Sequence, residues 1–123
     1  MKDCPFCNIN PERVILESNQ SFAIFDGFPV NEGHVLIIPK THIQNYFDLS
    51  GIEKRDIWEL SEKVKILIEN QFSPDGINIG INIGEYAGQT IPHCHIHIIP
   101  RYSGDVIDPK GGVRGVIPSK QKY

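Results

Sequence analysis

One segment near the middle of the chain shows the spacing of an amphipathic helix. Apolar residues recur at positions 57, 60, 64, 67 and 68, so they share one face of a helix. Ser50 precedes this run, and Glu53 stands three residues after Ser50, which is the arrangement of a capping box. The Pro-Asp-Gly sequence at residues 74–76 ends the pattern. The pattern predicts one long helix that packs a single stripe against a core.

The other apolar segments are short and bounded by turn residues, which is typical of strands. The predicted strands comprise residues 14–16, 21–26, 33–39, 76–84 and 92–100. Along the fourth strand, isoleucines alternate with Gly and Asn, so one face is apolar and the other is small. Three of these strands precede the long helix along the chain and two follow it. This order predicts an α+β fold with a five-stranded antiparallel sheet, one long helix and a short helix.

The composition restricts the class of protein. The chain has 123 residues, 40% of them hydrophobic, and a formal net charge of −3. This length suits a single domain over residues 1–123, and the charge disfavours a nucleic-acid binder. The apolar runs are too short to cross a membrane and the N-terminus shows no signal segment. We therefore expect a cytoplasmic protein with no nucleic-acid or membrane partner.

The last fifth of the chain, residues 101–123, is a basic tail rich in Gly and Pro. It carries 5 Lys/Arg against 2 Asp/Glu, whereas residues 1–100 carry 7 against 13. A solvated terminus is one interpretation of this charge. The other is that the tail brings cations to an anionic substrate, and our hypothesis is that Arg101 and Arg114 line the outer phosphates.

Two of the three cysteines, Cys4 and Cys7, form a Cys-x-x-Cys pair. In a reducing compartment such a pair is a metal or redox site rather than a disulfide. A thioredoxin-like redox pair opens a helix, whereas Asn-Ile-Asn-Pro at residues 8–11 breaks one, so the sequence favours a metal. Simple burial of the two side chains in the core is the remaining interpretation.

Three of the five histidines, His93, His95 and His97, alternate along the last predicted strand. Side chains alternate faces in a strand, so the three imidazoles share one face while Cys94 and Ile96 point to an apolar face. Three interpretations are open: structural histidines, joint ligands of a metal, or a nucleophile with hydrogen-bonding neighbours. A neutral imidazole is a competent nucleophile toward phosphorus near neutral pH.

The loop before this strand favours a substrate that carries phosphate. It contains Gly84, Gly88, Gln89 and Thr90. Glycines allow a ligand to approach the backbone, and Gln, Thr and backbone N–H groups can hold an anion. An ordinary turn explains the glycines alone, but beside three histidines they indicate phosphate binding.

Residues 93–99, His-Cys-His-Ile-His-Ile-Ile, form a motif of alternating histidines and hydrophobic residues. This motif resembles the histidine triad (HIT) family of nucleotide hydrolases and transferases. Residues 4–7, 22–26 and 33–42 resemble its N-terminal knuckle, its nucleoside-binding strand and its second landmark. Residues 87–90, Ala-Gly-Gln-Thr, are more similar to the diadenosine polyphosphate hydrolase branch, in a prokaryotic type with a zinc knuckle.

The resemblance implies catalytic roles for two residues. The middle histidine, His95, would attack the α-phosphorus and form a nucleotidyl-histidine that water then hydrolyses. His97 would hydrogen-bond a phosphate oxygen or the leaving group. Five further residues match substrate-binding positions of the family: Asp26, His34, Asn82, Gln89 and Thr90.

The resemblance also implies a structural zinc ion. Members with the knuckle resemble zinc proteins with a Cys₂His₂ ligand set, which here comprises Cys4, Cys7, His42 and His93. Such a closed set leaves no open position on the metal, so the ion would hold structure. The family further implies a homodimer.

The predicted function is that of a nucleotide hydrolase or nucleotidyl transferase. It would cleave at the α-phosphate of dinucleoside polyphosphates or related nucleotides, which are its expected small-molecule partners. Three alternatives stay open. They are a phosphoramidase-type nucleotide hydrolase of the same family, a zinc-dependent hydrolase whose three triad histidines all ligate the metal, and a nucleotide-binding module without turnover.

Overall fold

A computed structural model describes residues 2–123 and contains one sheet of five antiparallel strands; Met1, part of the predicted domain, lies outside the described residues. The strands are β1 (Val14–Glu17), β2 (Ser21–Phe25), β3 (Val35–Pro39), β4 (Gly76–Gly80) and β5 (Ile96–Arg101). Their order across the sheet is β1-β2-β3-β5-β4. With one long helix and a short 3-10 turn at Tyr46–Asp48, the predicted α+β class is confirmed.

The long helix, α1, covers Gly51–Phe72 and begins as predicted. The Ser50 hydroxyl accepts from the Glu53 N–H, and the Glu53 carboxylate accepts from the Ser50 N–H. Its C-cap is Ser73, which has a left-handed backbone (φ 51°) and directly precedes Pro74. Its buried apolar residues are Ile57, Leu60, Val64 and Ile68. Among residues 2–123, no helix has the length and apolarity needed to cross a membrane.

One polar contact ties the start of α1 to the sheet. The carboxylate of Asp56 accepts hydrogen bonds from the hydroxyls of Ser18 and Ser21, at the turn between β1 and β2. Because α1 also packs on β2 and β3, this contact fixes the helix across the strands.

The sheet buries its two faces against different parts of the chain. On the face that α1 covers, the buried sheet residues are Ala23, Val35, Ile37, Ile96 and Ile98, and Cys94 packs with them from outside the sheet. The N-terminal segment covers the opposite face, where Cys4 and Phe6 pack on Ile24, Leu36 and Ile38. All five residues of β3 are therefore buried, as its continuous apolar sequence predicts.

The triad strand begins later than predicted. β5 starts at Ile96, so His93 and His95 lie in the turn that leads into the strand. The prediction of an apolar face is correct, since Cys94 and Ile98 are buried with Ile96 in the core under α1.

The late start of β5 has a cause in β3. The register pairs Ile37 with Ile96, and its continuation would place Pro39 opposite Cys94. Pro39 has no N–H to donate to a ladder. The Cys94 N–H instead donates to the carbonyl of Ile43, at 2.7 Å, so the chain leaves the sheet at this point.

β4 is also shorter than the predicted strand over residues 76–84. It ends at Gly80, which pairs with His97 at the beginning of β5. In this register only Ile96, the first residue of β5, lies beyond His97, so one position remains for β4 to pair with. Residues 81–90 therefore form a loop, with a 3-10 turn at Glu85–Ala87, beside the start of β5.

The basic tail folds back beside the sheet edge. It contains two 3-10 turns, Gly112–Val116 and Pro118–Lys120. Gly112 lies next to the side chain of Asn78 in β4. The tail therefore occupies the β4 side of the molecule.

Candidate active site

A cavity of about 370 Å³ opens on the sheet face that the N-terminal segment covers. Its walls include His95 and His97, together with the apolar side chains of Phe6, Ile24 and Leu36. Three larger cavities, of about 560, 680 and 750 Å³, lie beside the tail, and of the residues predicted for the site their walls contain only Arg101 and Asn82. The smaller cavity is the candidate active site because the reactive side chains reach it.

One hydrogen bond fixes the proton of His95. Its Nδ1 lies 2.9 Å from the carbonyl oxygen of His93. A carbonyl oxygen only accepts, so Nδ1 carries the proton and the neutral ring keeps its lone pair on Nε2. The ring of Phe6 packs edge-on against His95, with 4.9 Å between centroids. The ring is therefore held with one nitrogen available for nucleophilic attack.

His97 lies beside His95, with 5.1 Å between ring centroids. Its Nδ1 is 3.0 Å from Nε2 of His34, and the same Nε2 is 3.5 Å from a carboxylate oxygen of Asp26. Burial lowers the pKa of His97 to about 4, and the neighbouring His95 and His34 add to the effect. Burial also lowers the pKa of His34. Both rings are therefore neutral near pH 7.

The predicted substrate-binding residues divide into two groups. Asp26, Asn82 and Thr90 line the cavity. His34 does not, because it is 2% exposed and lies behind His97. Its position suits support of the triad rather than direct contact with a substrate.

Gln89 is the second predicted residue outside the cavity wall. Its Oε1 accepts from the Gly84 N–H at 2.9 Å, and its Nε2 donates to the carbonyls of Gln44 and Ile91 at 3.0 and 3.1 Å. With its amide used in this way, Gln89 shapes the loop that carries Thr90.

The four predicted metal ligands meet at one point. The ligand atoms of Cys4, Cys7, His42 and His93 all lie within 4.8 Å of one another. Sγ of Cys7 lies 3.2 Å from Nδ1 of His42 and 3.6 Å from Nδ1 of His93. Sγ of Cys4 lies 3.4 Å from Nδ1 of His93, and the two Nδ1 atoms are 3.2 Å apart. Tetrahedral zinc with its usual bond lengths separates its ligand atoms by about 3.3–3.8 Å. The residues therefore fit a zinc ion.

The proton of His93 supports the same conclusion. Its Nε2 lies 2.7 Å from the carbonyl oxygen of Pro39, so Nε2 carries the proton and the Nδ1 lone pair faces the sulfur atoms. Histidines that bind metals commonly donate their other ring N–H to a carbonyl in this way. Burial lowers the pKa of His93, which keeps the ring neutral.

The three triad rings do not converge on one metal ion. His93 faces Cys4 and Cys7, whereas His95 and His97 line the cavity. Within residues 2–123, no cluster of possible metal ligands contains all three triad histidines. The geometry contradicts the alternative of a zinc hydrolase with three triad ligands.

The basic tail does not reach this cavity within one chain. Arg101 binds both carboxylate oxygens of Asp105, at 2.8 and 2.9 Å, and the Asn78 Oδ1 at 2.7 Å. Arg114 donates to two carbonyls of the tail itself. Neither arginine lines the cavity of a single chain, so this geometry does not support our hypothesis for them; among residues 2–123, Arg13 lines it.

Sequence reasoning misses two side chains of the site. Phe6 packs its ring against both His93 and His95. Arg13 lies in the cavity wall and donates to the carbonyl of Phe25 at 3.2 Å. The aromatic residue inside the knuckle is a weak signal for the first, and nothing in the sequence marks the second.

The fold and the site together define a known class of protein. Residues 8–104 match the family model of the HIT domain. The chain belongs to the HIT family, as its histidine motif predicts.

Individual relatives and one solved structure extend this assignment. The chain is 37% identical to Protein hit of Bacillus subtilis over 105 residues, which are 82% of this chain and 72% of the relative. It is 38% identical to Bis(5'-adenosyl)-triphosphatase of Dictyostelium discoideum over 97 residues, covering 79% and 65%. A Zn-bound histidine triad family protein from Mycobacterium smegmatis matches with a TM-score of 0.78 at 32% identity, covering 87% and 81%.

Proposed function

We propose that this chain hydrolyses dinucleoside polyphosphates at the α-phosphate through a covalent nucleotidyl-histidine on His95. A bis(5'-adenosyl)-triphosphatase among its relatives supports a nucleotide hydrolase. The observation that carries the mechanism is the hydrogen bond between His95 Nδ1 and the His93 carbonyl. It leaves Nε2 of a cavity-lining imidazole as the nucleophile.

The reaction has two displacements at phosphorus. First, the Nε2 lone pair of His95 attacks the α-phosphorus, the P–O bond to the bridging oxygen breaks, and the departing nucleotide keeps the electron pair as a phosphate anion. Water then attacks the same phosphorus, the Nε2–P bond breaks, and the water proton passes to solvent. Both steps depend mainly on positioning and on stabilisation of charge.

The cavity wall offers a contact for each part of a nucleotide. The apolar side around Phe6 and Ile24 suits a nucleobase, and the carboxylate of Asp26 suits ribose hydroxyls. The hydroxyl of Thr90 and the amide of Asn82 suit the phosphates, next to the triad. The substrate class in this proposal rests on that sequence of surfaces.

Capture of the intermediate tests the mechanism. Turnover of a dinucleoside triphosphate radiolabelled at the α-phosphate is quenched in alkali, where N-linked phosphohistidine persists, and the label is mapped to His95. His95→Asn should carry no label and lose at least about 1,000-fold in turnover. His97→Asn, the matched control, keeps the nucleophile and should still be labelled. Label on His97, or full turnover by His95→Asn, would refute the proposal.

A second comparison addresses the bond that is cleaved. The kcat/KM for a dinucleoside triphosphate is measured beside that for a nucleoside phosphoramidate. Our proposal predicts that the anhydride is preferred, whereas the phosphoramidase alternative predicts the reverse order.

We also propose that Cys4, Cys7, His42 and His93 hold a structural zinc ion. Support comes from the fit of the ligand distances and from the Zn-bound relative. Bound there, the ion supplies a cross-link and no chemistry on the substrate, because protein ligands fill all four positions. These residues would join the N-terminal segment, the loop after β3 and the entry to β5.

Metal analysis tests this site. The purified protein should contain about one zinc ion per chain, and Cys4→Ser with Cys7→Ser should abolish it and lower the melting temperature. Cys94→Ala is the matched control, since Cys94 is buried outside the cluster. Unchanged zinc content in the double variant would contradict the assignment.

We further propose a homodimer built on the free edge of β4. This strand ends the sheet order, so its outer edge has no partner strand among residues 2–123. A second copy related by two-fold symmetry offers the same edge, so the β4 strands of the two copies can pair antiparallel with each other. Beside the edge lies a groove of about 680 Å³ whose apolar lining comprises Trp58, Ile79, Ile81, Ile99, Val113 and Val116.

The oligomeric state in solution tests the dimer. In sedimentation equilibrium the parent should be a dimer, and Ile79→Asp, which changes a 45% exposed residue of the groove, should be a monomer. Ile52→Asp is the control, because Ile52 is 61% exposed outside the groove. A monomeric parent would refute the proposal.

The single domain over residues 1–123 and the cytoplasmic location stay predictions.

A further inference from the structure

His34 is closed off from solvent directly behind the last histidine of the triad. It is 2% exposed, and its ring centroid is 5.2 Å from that of His97. Nε2 of His34 and Nδ1 of His97 are 3.0 Å apart. At this distance one nitrogen donates and the other accepts.

A backbone group decides which nitrogen donates. The N–H of Val30 points at Nδ1 of His34, at 3.0 Å, so this nitrogen accepts and carries no proton. The neutral His34 ring therefore has its proton on Nε2. Nδ1 of His97 must accept a hydrogen bond from this N–H, so the proton of the neutral His97 ring is on Nε2. The opposite arrangement would place two N–H groups against each other.

We propose that His34 is a positioning residue that holds His97 as the Nε2–H tautomer. The triad then presents two different nitrogens to a phosphate: a lone pair on His95 and an N–H donor on His97. His93 fixes the first through its carbonyl, and His34 fixes the second through its ring. The use of this donor on a phosphate oxygen rests on the proposed function, whereas the tautomer does not.

Asp26 agrees with the same proton position. Its Oδ2 lies 3.5 Å from Nε2 of His34, farther than His97 Nδ1. A carboxylate beside Nε2 favours a proton on that nitrogen rather than on Nδ1. Its Oδ1 accepts from the N–H of Phe28 at 2.9 Å, which anchors the carboxylate at this position.

The loop that carries Val30 is held by the segment that follows β5. The Asn31 amide donates to Asp105 Oδ2 at 2.7 Å and to the carbonyl of Pro100 at 3.1 Å. The hydroxyl of Tyr102 donates to the carbonyl of Glu32 at 2.7 Å. The beginning of the basic tail therefore helps to hold the loop that carries the Val30 N–H.

Imidazole ¹⁵N NMR reads the tautomer directly. In the labelled parent protein, with signals assigned by comparison with His97→Gln, His97 should be protonated on Nε2 and His95 on Nδ1. In His34→Leu, His97 should populate both tautomers. In His34→Gln it should keep Nε2–H, because the amide still offers one acceptor and one donor.

Kinetics on the same variants separate positioning from simple stability. His34→Leu should lower kcat by about 10–100-fold with little change in KM, and His34→Gln should recover most of the loss. A parent protein with His97 protonated on Nδ1 would overturn the proposal, as would His34→Leu with unchanged tautomer and kcat. If His97 has the expected tautomer but no nucleotide is hydrolysed, the proposed function fails and the tautomer assignment stands.

Discussion

Acidification should destabilise this protein through His97. Burial, with the neighbouring His95 and His34, lowers the pKa of His97 to about 4, whereas an exposed histidine in the unfolded chain has a pKa of about 6.5. Above the pKa of the unfolded chain, His97 is neutral in both the folded and the unfolded state, and its protonation costs the folded protein no stability. Between the two values only the unfolded chain binds a proton, so the free energy of unfolding falls as the pH falls.

The size of the loss follows from the two pKa values. Each unit of difference corresponds to about 1.36 kcal/mol. The shift of His97 therefore removes roughly 3 kcal/mol by about pH 4, where the folded ring also becomes protonated. Burial lowers the pKa of His34 too, so this residue acts with the same sign. The loss of roughly 3 kcal/mol through His97 is a large part of the roughly 5–15 kcal/mol that stabilises a typical domain.

Urea unfolding from about pH 7 to about pH 4 measures the effect. The parent and His97→Gln are compared with excess zinc at each pH, so that all other titrating groups are shared. The parent should lose roughly 3 kcal/mol more than the variant over this range. Parallel stability curves would show that His97 is not held neutral by burial.

Three further changes test separate parts of the structure. Asp56→Ala removes the acceptor of two serine hydroxyls and should lower the free energy of unfolding in urea by about 1–3 kcal/mol. Gly33→Ala should lower the free energy of unfolding by at least about 1–2 kcal/mol, because φ of Gly33 is +85° and the new Cβ would lie 2.8 Å from the Phe72 ring. Gly80→Ala is the control and should change the free energy of unfolding little, because the space around Gly80 is open. Arg114→Gln should leave the KM for long dinucleoside polyphosphates unchanged in steady-state kinetics, because its guanidinium binds tail carbonyls, and a raised KM would restore a substrate role for the tail.

The elements with a local cause are predictable from the sequence. The start of α1 follows from Ser50 and Glu53, whose side chains form the capping box seen in the structure. The ends of β4 and β5 depend instead on partner strands. β5 begins where Pro39 interrupts pairing, and β4 ends at Gly80, which lies opposite His97 and within one residue of the beginning of β5. No pattern within either strand contains this information.

The site shows the same division between local and tertiary causes. The spacing of the triad and of the knuckle predicts which side chains are reactive. The position of each histidine proton depends on backbone groups from elsewhere in the fold: the carbonyls of Pro39 and His93, and the N–H of Val30. Every residue has a backbone carbonyl and every residue except proline has a backbone N–H, so the sequence carries no specific signal for these contacts.

His93 connects the proposed zinc site to the proposed nucleophile through two atoms of one residue. Its Nδ1 faces the sulfur atoms of Cys4 and Cys7, while its carbonyl accepts a hydrogen bond from the Nδ1–H of His95. A metal that fixes the ring also fixes the peptide that follows it, because both are attached to the same Cα. Phe6, which lies within the knuckle, packs against both rings. The knuckle would thus support nucleotide cleavage by holding one carbonyl in place.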